Sequence, residues 1–173
     1  MWITLAVIVA VIAVVLIVAA TKPDTFRIAR STTVNAPPEA IYPMIVDFHR
    51  WTEWSPYENL DADLNRTYGG SESGVGATYA WEGKKAGAGA MEIIGVTPPN
   101  LVSIKLDFTK PFAASNVAEF ALRPEAGGTA VTWSMTSNQN LTSKVMGLFF
   151  NMDKFVGRDF ETGLANIKRN AEQ

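Results

Sequence analysis

Cysteine is absent from this sequence and histidine occurs once, as His49. Without a thiol there is no disulfide and no cysteine nucleophile, and one imidazole cannot build a His/Cys metal cluster. The lack of disulfides is compatible with either side of a membrane. Charge of one sign is also missing: 15 Lys and Arg stand against 17 Asp and Glu, a net charge of −2. Such a chain carries no basic field for nucleic acid. No Gly-Lys-Ser/Thr or Gly-x-Gly-x-x-Gly phrase links a strand to a helix, so the glycines at 69, 70, 74, 76, 83, 87, 89 and 95 read as turns, bulges and sheet curvature. There is no internal repeat, no low-complexity tract and no cofactor signature.

What is present begins with a long apolar run. From Trp2 to Ala20 the only polar side chain is Thr4, and the first charged side chain is Lys22. About 19 residues rising roughly 1.5 Å each span about 28 Å, close to the hydrocarbon thickness of a bilayer. No face of the run is polar, which excludes an interfacial amphipathic helix. Residues 1–22 therefore read as a transmembrane anchor and 23–173 as one domain. A cleaved signal peptide is the rival, since Val18-Ala19-Ala20 offers a cutting site; no Lys or Arg precedes the run, and it exceeds the usual apolar core of such peptides. Lys22, Arg27 and Arg30 follow the run against Asp24 alone, which favours a single-pass protein of the cell membrane with its domain in the cytoplasm.

The remaining 150 or so residues suffice for one domain with a sizeable core. Phe26–Val34 reads as a strand. Pro37-Pro38-Glu39 opens a helix through Ile41, Met44 and Ile45, because proline fits the first turn and Glu favours the positive end of the helix dipole. Asp47 caps a second short helix over Phe48–Trp54, which Ser55-Pro56 ends. Strands then follow over Leu60–Tyr68, Gly76–Glu82, Gly87–Val96, Leu101–Phe108, Asn116–Arg123 and Thr129–Thr136. Two hairpins turn at Gly83–Ala86 and at Glu125–Gly128. Alternation puts Val102, Ile104, Leu106 and Phe108 on one face, and Val131, Trp133 and Met135 on another. One long helix, Ser143–Ala171, carries the stripe Val145, Leu148, Phe149, Met152, Phe155, Val156, Phe160, Leu164 and Ile167. The only large apolar surface that can cover this stripe is the inner face of the sheet. The fold class is α+β.

Several phrases carry a family resemblance: Val34-Asn35-Ala36-Pro37-Pro38-Glu39-Ala40-Ile41-Tyr42, Asp47-Phe48-His49-Arg50-Trp51-Thr52-Glu53-Trp54-Ser55-Pro56, Trp81-Glu82-Gly83, Gly127-Gly128-Thr129-Ala130-Val131-Thr132-Trp133, and Met152 to Leu164. From Phe26 onward the chain resembles the SRPBCC superfamily, also called START-like or Bet v 1-like. Within it, the chain is similar to the bacterial proteins of the polyketide cyclase/dehydrase and lipid-transport type. The resemblance implies a helix-grip fold, in which a curved antiparallel sheet wraps a long C-terminal helix and leaves a cavity for a hydrophobic small molecule or lipid.

On that footing, Trp51, Trp54, Tyr79, Trp81, Met91, Phe108, Phe120, Trp133, Met135, Phe149 and Met152 are the candidates for lining a ligand-binding interior, with the terminal helix and the Trp51–Ser55 region at its mouth. Ordinary core packing is the alternative for each. No catalytic motif carries over. A cyclase or dehydratase would use a polar residue facing the cavity, with Glu58, Glu82, Tyr79 and His49 as the ones to inspect. A tethered interaction module without ligand is the third reading, favoured by an exposed apolar patch away from any cavity.

Overall fold

A computed structural model describes residues 2–173. Helix α1, Trp2–Ala20, projects from the domain, and Val15 and Ala19, one turn apart, are its only positions sheltered from solvent. It is long and apolar enough to cross a membrane, a description that a signal sequence also meets.

Four residues, Thr21 to Asp24, join α1 to strand β1, Thr25–Val34. Helix α2, Pro38–Val46, begins on its proline as the sequence predicts. Asp47 caps the next element by accepting from the His49 backbone N–H at 2.9 Å, but that element is a 3₁₀ turn, Phe48–Glu53, and a second 3₁₀ turn covers Pro56–Asn59.

Six strands follow: β2 Asn65–Gly70, β3 Ala77–Gly83, β4 Gly87–Thr97, β5 Leu101–Lys110, β6 Ala114–Glu125 and β7 Gly128–Asn138. They form one antiparallel sheet with β1, in the order β1-β7-β6-β5-β4-β3-β2. Strand β2 starts at Asn65 and not at Leu60, because residues before it belong to the 3₁₀ turn and to the loop through Asp61. That carboxylate accepts from the Lys85 and Ala86 backbone N–H groups and so ties the loop to the β3–β4 turn. Register shifts in β4 at Ala88/Gly89 and at Ile93/Gly95 bend the sheet. At Gly89 a Cβ would sit 2.6 Å or less from the Trp81 ring, so only glycine lets that indole lie against the neighbouring strand.

The C-terminal segment is two helices and not one. Helix α3, Leu141–Phe149, stops before Asn151, whose side chain caps α4, Met152–Ala171, by accepting from the Lys154 backbone N–H at 2.9 Å. Helix α4 lies along β1 and the edge of β7, while α3 turns away and packs beside α1. The stripe is split accordingly. Phe160, Leu164 and Ile167 are buried in the core, whereas Phe149 and Met152 are exposed. The expectation that these last two line the interior is thus corrected: they flank the break at Asn151, where the chain turns from α3 into α4, and neither is carried onto the inner face.

Arg30 sits under the start of α4, with its guanidinium on Asp153 at 3.0 Å and Glu161 at 2.8 Å. Of the three cations after α1, Arg30 is therefore committed to helix packing.

Candidate functional site

Two indoles close the end of the core away from α1. Trp51 donates through Nε1 to the Ile45 carbonyl at 3.0 Å, and Trp54 to the Met44 carbonyl at 2.8 Å. Both carbonyls are in the last turn of α2, where helical acceptors lack intrahelical partners. Their rings lie 4.8 Å apart and continue through Phe120 to Trp133, which stacks on Phe160 with centroids 4.0 Å apart and planes 8° apart. Gly163 makes this possible, since a Cβ there would stand 2.7 Å from Trp133. The sequence candidates Trp51, Trp54, Phe120 and Trp133 are thus brought together as one filled ring cluster. With Trp51, Trp54 and Ser55 all buried, the expected mouth at Trp51–Ser55 is closed.

A second group of candidates lies across the sheet. Tyr79 stacks near Trp81 at 6.1 Å, Trp81 meets Phe108 edge-on at 5.5 Å, and Met91 is the cross-strand partner of Tyr79. The Tyr79 hydroxyl donates to Glu58 at 2.7 Å, and Arg66 binds the other carboxylate oxygen at 2.6 Å. Burial, then the hydrogen bond to Glu58, pushes the Tyr79 hydroxyl pKa well up from its ordinary value, so it stays a donor. Glu58, one of the polar residues to inspect, is 5 % exposed. Glu82 and His49 are not part of this group. Glu82 pairs with Lys110 on the surface at 2.6 Å, and exposed His49 meets Asp47 at 3.1 Å and stacks on Tyr68 at 4.2 Å.

Between the two groups, on the half of the sheet nearer α1, the inner face is only partly covered. Phe26, Leu106, Phe108 and Met135 are half-buried there. The register sets Phe26 opposite Ser137, Ser137 opposite Asn116, and Asn116 opposite Leu106. Asn116 is buried, and its side-chain amide reaches only the Leu106 carbonyl, at the outer limit of 3.5 Å. This polar position was missed in the sequence. The available signal was that Asn116 heads the inward series Asn116, Ala118, Phe120, Leu122, where an apolar residue is the rule. Trp133 Nε1 is a further buried donor without a partner. A buried polar group left unpaired is costly, which sets these two positions apart from the rest of the core.

Two hollows on the surface, about 180 Å³ beside His49, Tyr68 and Glu72 and about 300 Å³ beside Asp61, Asp63 and Lys84, share no residue with the expected ligand set. No group of His, Asp or Glu among the described residues is arranged to hold a metal.

An antiparallel sheet gripping a C-terminal helix, with aromatics on its inner face, defines the Bet v 1-like class. Residues 25–172 match the family described as polyketide cyclase / dehydrase and lipid transport, and the chain belongs to that family. Solved structures share the fold. Protein CV1439 from Chromobacterium violaceum is 15 % identical, with 87 % of this chain and 99 % of that one covered at a TM-score of 0.60. The Aha1 dimer from Colwellia psychrerythraea is 17 % identical over 85 % and 96 %, at 0.57. Ara h 8.0201 is 12 % identical over 85 % and 97 %, at 0.58. No curated protein matches.

Proposed function

We propose that this chain is a membrane-anchored domain that takes up a hydrophobic small molecule or lipid against the inner face of its sheet. Residues 1–22 are the anchor and 23–173 the binding domain, facing the cytoplasm by the cations that follow α1. One observation carries the reading: the strip Phe26, Leu106, Phe108 and Met135 stays half-buried around the buried, weakly bonded Asn116. An apolar strip with a sparse polar handle is the usual make-up of a small-molecule site. Covering it with ligand gains roughly 25 cal/mol per Å² of apolar surface removed from water. The Asn116 amide gives the guest an orientation by donating to an oxygen or accepting from a hydroxyl.

A cyclase or dehydratase in the same space would need an acid or base facing that strip. Glu58, the buried carboxylate among the residues considered, has both oxygens taken by Tyr79 and Arg66, so binding is the better-supported reading.

The test is photolabelling of the full chain in phospholipid nanodiscs with a diazirine-bearing fatty acid, mapped by peptide mass spectrometry. Adducts on the peptides that hold Leu106, Asn116 and Met135, reduced by Met135→Glu, are expected. Adducts confined to α1 would refute uptake by the domain.

A further inference from the structure

Four phenylalanines stand out on the half of the domain next to α1. Phe112, Phe149, Phe150 and Phe155 are 70 %, 70 %, 62 % and 71 % exposed, and Met146 and Met152 are exposed beside them in sequence. Single exposed apolar residues are ordinary on a soluble surface, but a collection of large ones marks an interaction site. The strand register places the first of them. Thr25 pairs with Asn138, Ser137 with Asn116, and Ala114 with Phe108, so the β5–β6 turn carrying Phe112 projects from the same sheet end at which β1 leaves α1. Helix α3, which follows β7 at that end, is the element packed beside α1.

We propose that this end of the domain is a second membrane contact, a docking surface for the headgroup and upper acyl region of the bilayer that holds α1. The proposal rests on the reading of α1 as an inserted anchor. The four residues Thr21 to Asp24 reach at most about 14 Å when extended, so the domain cannot stand far from the lipid. The joint is also fixed in orientation. The Asp24 carboxylate accepts from Lys144 on α3 at 2.6 Å, and the Asp24 carbonyl accepts from the Gln139 N–H at 2.8 Å. These bonds set α3 against the last turns of α1, where Ala19 is buried, and leave Met146, Phe149 and Phe150 facing outward at the depth where α1 meets the interface. Aromatic side chains are enriched at that depth, and apolar faces buried a few ångströms into it bind by the area they hide.

The attraction is apolar and not electrostatic. Charges of both signs are mixed at this end, Lys22, Arg27, Lys84, Lys85 and Lys110 standing beside Asp24, Asp61, Asp63 and Glu82, so the exposed rings are what set it apart. The docked surface adjoins the half-open strip of the sheet, so a guest leaving the bilayer would cross little water.

Because the chain has no cysteine, single cysteines report local depth cleanly. The full chain carrying Phe149→Cys, Phe112→Cys or, on the opposite turn, Glu125→Cys is labelled with an environment-sensitive nitrobenzoxadiazole. It is then reconstituted in phosphatidylcholine vesicles containing a lipid with a nitroxide high on its acyl chain. Strong quenching at positions 149 and 112 and little at 125, unchanged by salt, is expected. Equal quenching at all three positions, in chain that co-floats with the vesicles and resists carbonate, overturns the docking surface and leaves the anchor intact. Chain that fails to co-float overturns the anchor reading and this inference with it. Shielding at 149 and 112 that follows protein density and ignores the nitroxide places a second copy on the surface, and also overturns the inference.

Discussion

The Tyr79 hydroxyl donates to one oxygen of Glu58 at 2.7 Å while Arg66 holds the other at 2.6 Å. Arg66 also donates to the Glu58 carbonyl at 2.9 Å, so the second 3₁₀ turn is tied at once to β2 and β3. Removing one member leaves a buried acceptor or donor unpaired, which costs about 1–3 kcal/mol. Tyr79→Phe is expected to lower unfolding free energy by that amount and Glu58→Ala by more, measured by urea unfolding. Glu58→Gln with full stability and abolished turnover of a substrate would instead assign the group a chemical role.

Helix α4 rests on the Trp133 ring through Gly163. A methyl group there meets the indole at 2.7 Å with Pro56 also within 3.3 Å, so neither neighbour can withdraw without unstacking Trp133 from Phe160. Gly163→Ala is expected to destabilise by about 1–3 kcal/mol, the usual range for overpacking. The urea midpoint should fall, and the near-ultraviolet circular dichroism of the stacked indole should weaken.

Asp159 on α4 carries a pKa raised from the ordinary 3.8, first by burial, with the Tyr57 hydroxyl offsetting part of it. The folded state therefore binds this proton more tightly than the unfolded chain. Its stabilising share is fully present below pH 3.8 and is lost as pH rises through the folded value. Asp159→Asn is expected to raise the melting temperature at neutral pH, with the gain over the parent chain vanishing in acid. A gain that persists unchanged in acid would contradict the sign.

Asp24 joins anchor and domain through Lys144, whose hydrogen bond holds the Asp24 carboxyl below the usual carboxylate range. The carboxylate therefore stays ionised, and the pairing holds, as the pH falls to the ordinary 3.8. Asp24→Asn leaves the buried Lys144 without its counter-charge. Hydrogen exchange over 141–149 should speed up while exchange in β6 and β7 stays unchanged.

The sheet was largely legible because alternation and turn residues agree: Val102, Ile104, Leu106 and Phe108 do share a face, and both expected hairpins form. The break between α3 and α4 was not legible from periodicity. The apolar spacing runs straight through Phe149, Met152 and Val156, and no proline or glycine marks the joint. The signal present was Asn151 followed by Asp153, an N-cap with an acidic first turn inside an apolar stripe. Among the candidate residues, aromatic identity pointed to the inner face but could not separate rings that fill it from residues that leave it open. That distinction depends on where α4 lies, over β1 and β7, and no local pattern encodes it. Glu58 and Tyr79 were among the polar residues to inspect, but their pairing and the part of Arg66 were not legible, since the three come from a turn and two strands that no local pattern sets side by side.

Native mass spectrometry of the chain, solubilised gently from the membranes of its own host, tests the central claim most directly. A stoichiometric apolar adduct that is lost on denaturation and weakened by Met135→Glu is the expected result, and solvent extraction then gives its chemical class. A bare chain mass from every preparation, with no adduct after incubation with host lipid extract, would contradict the account.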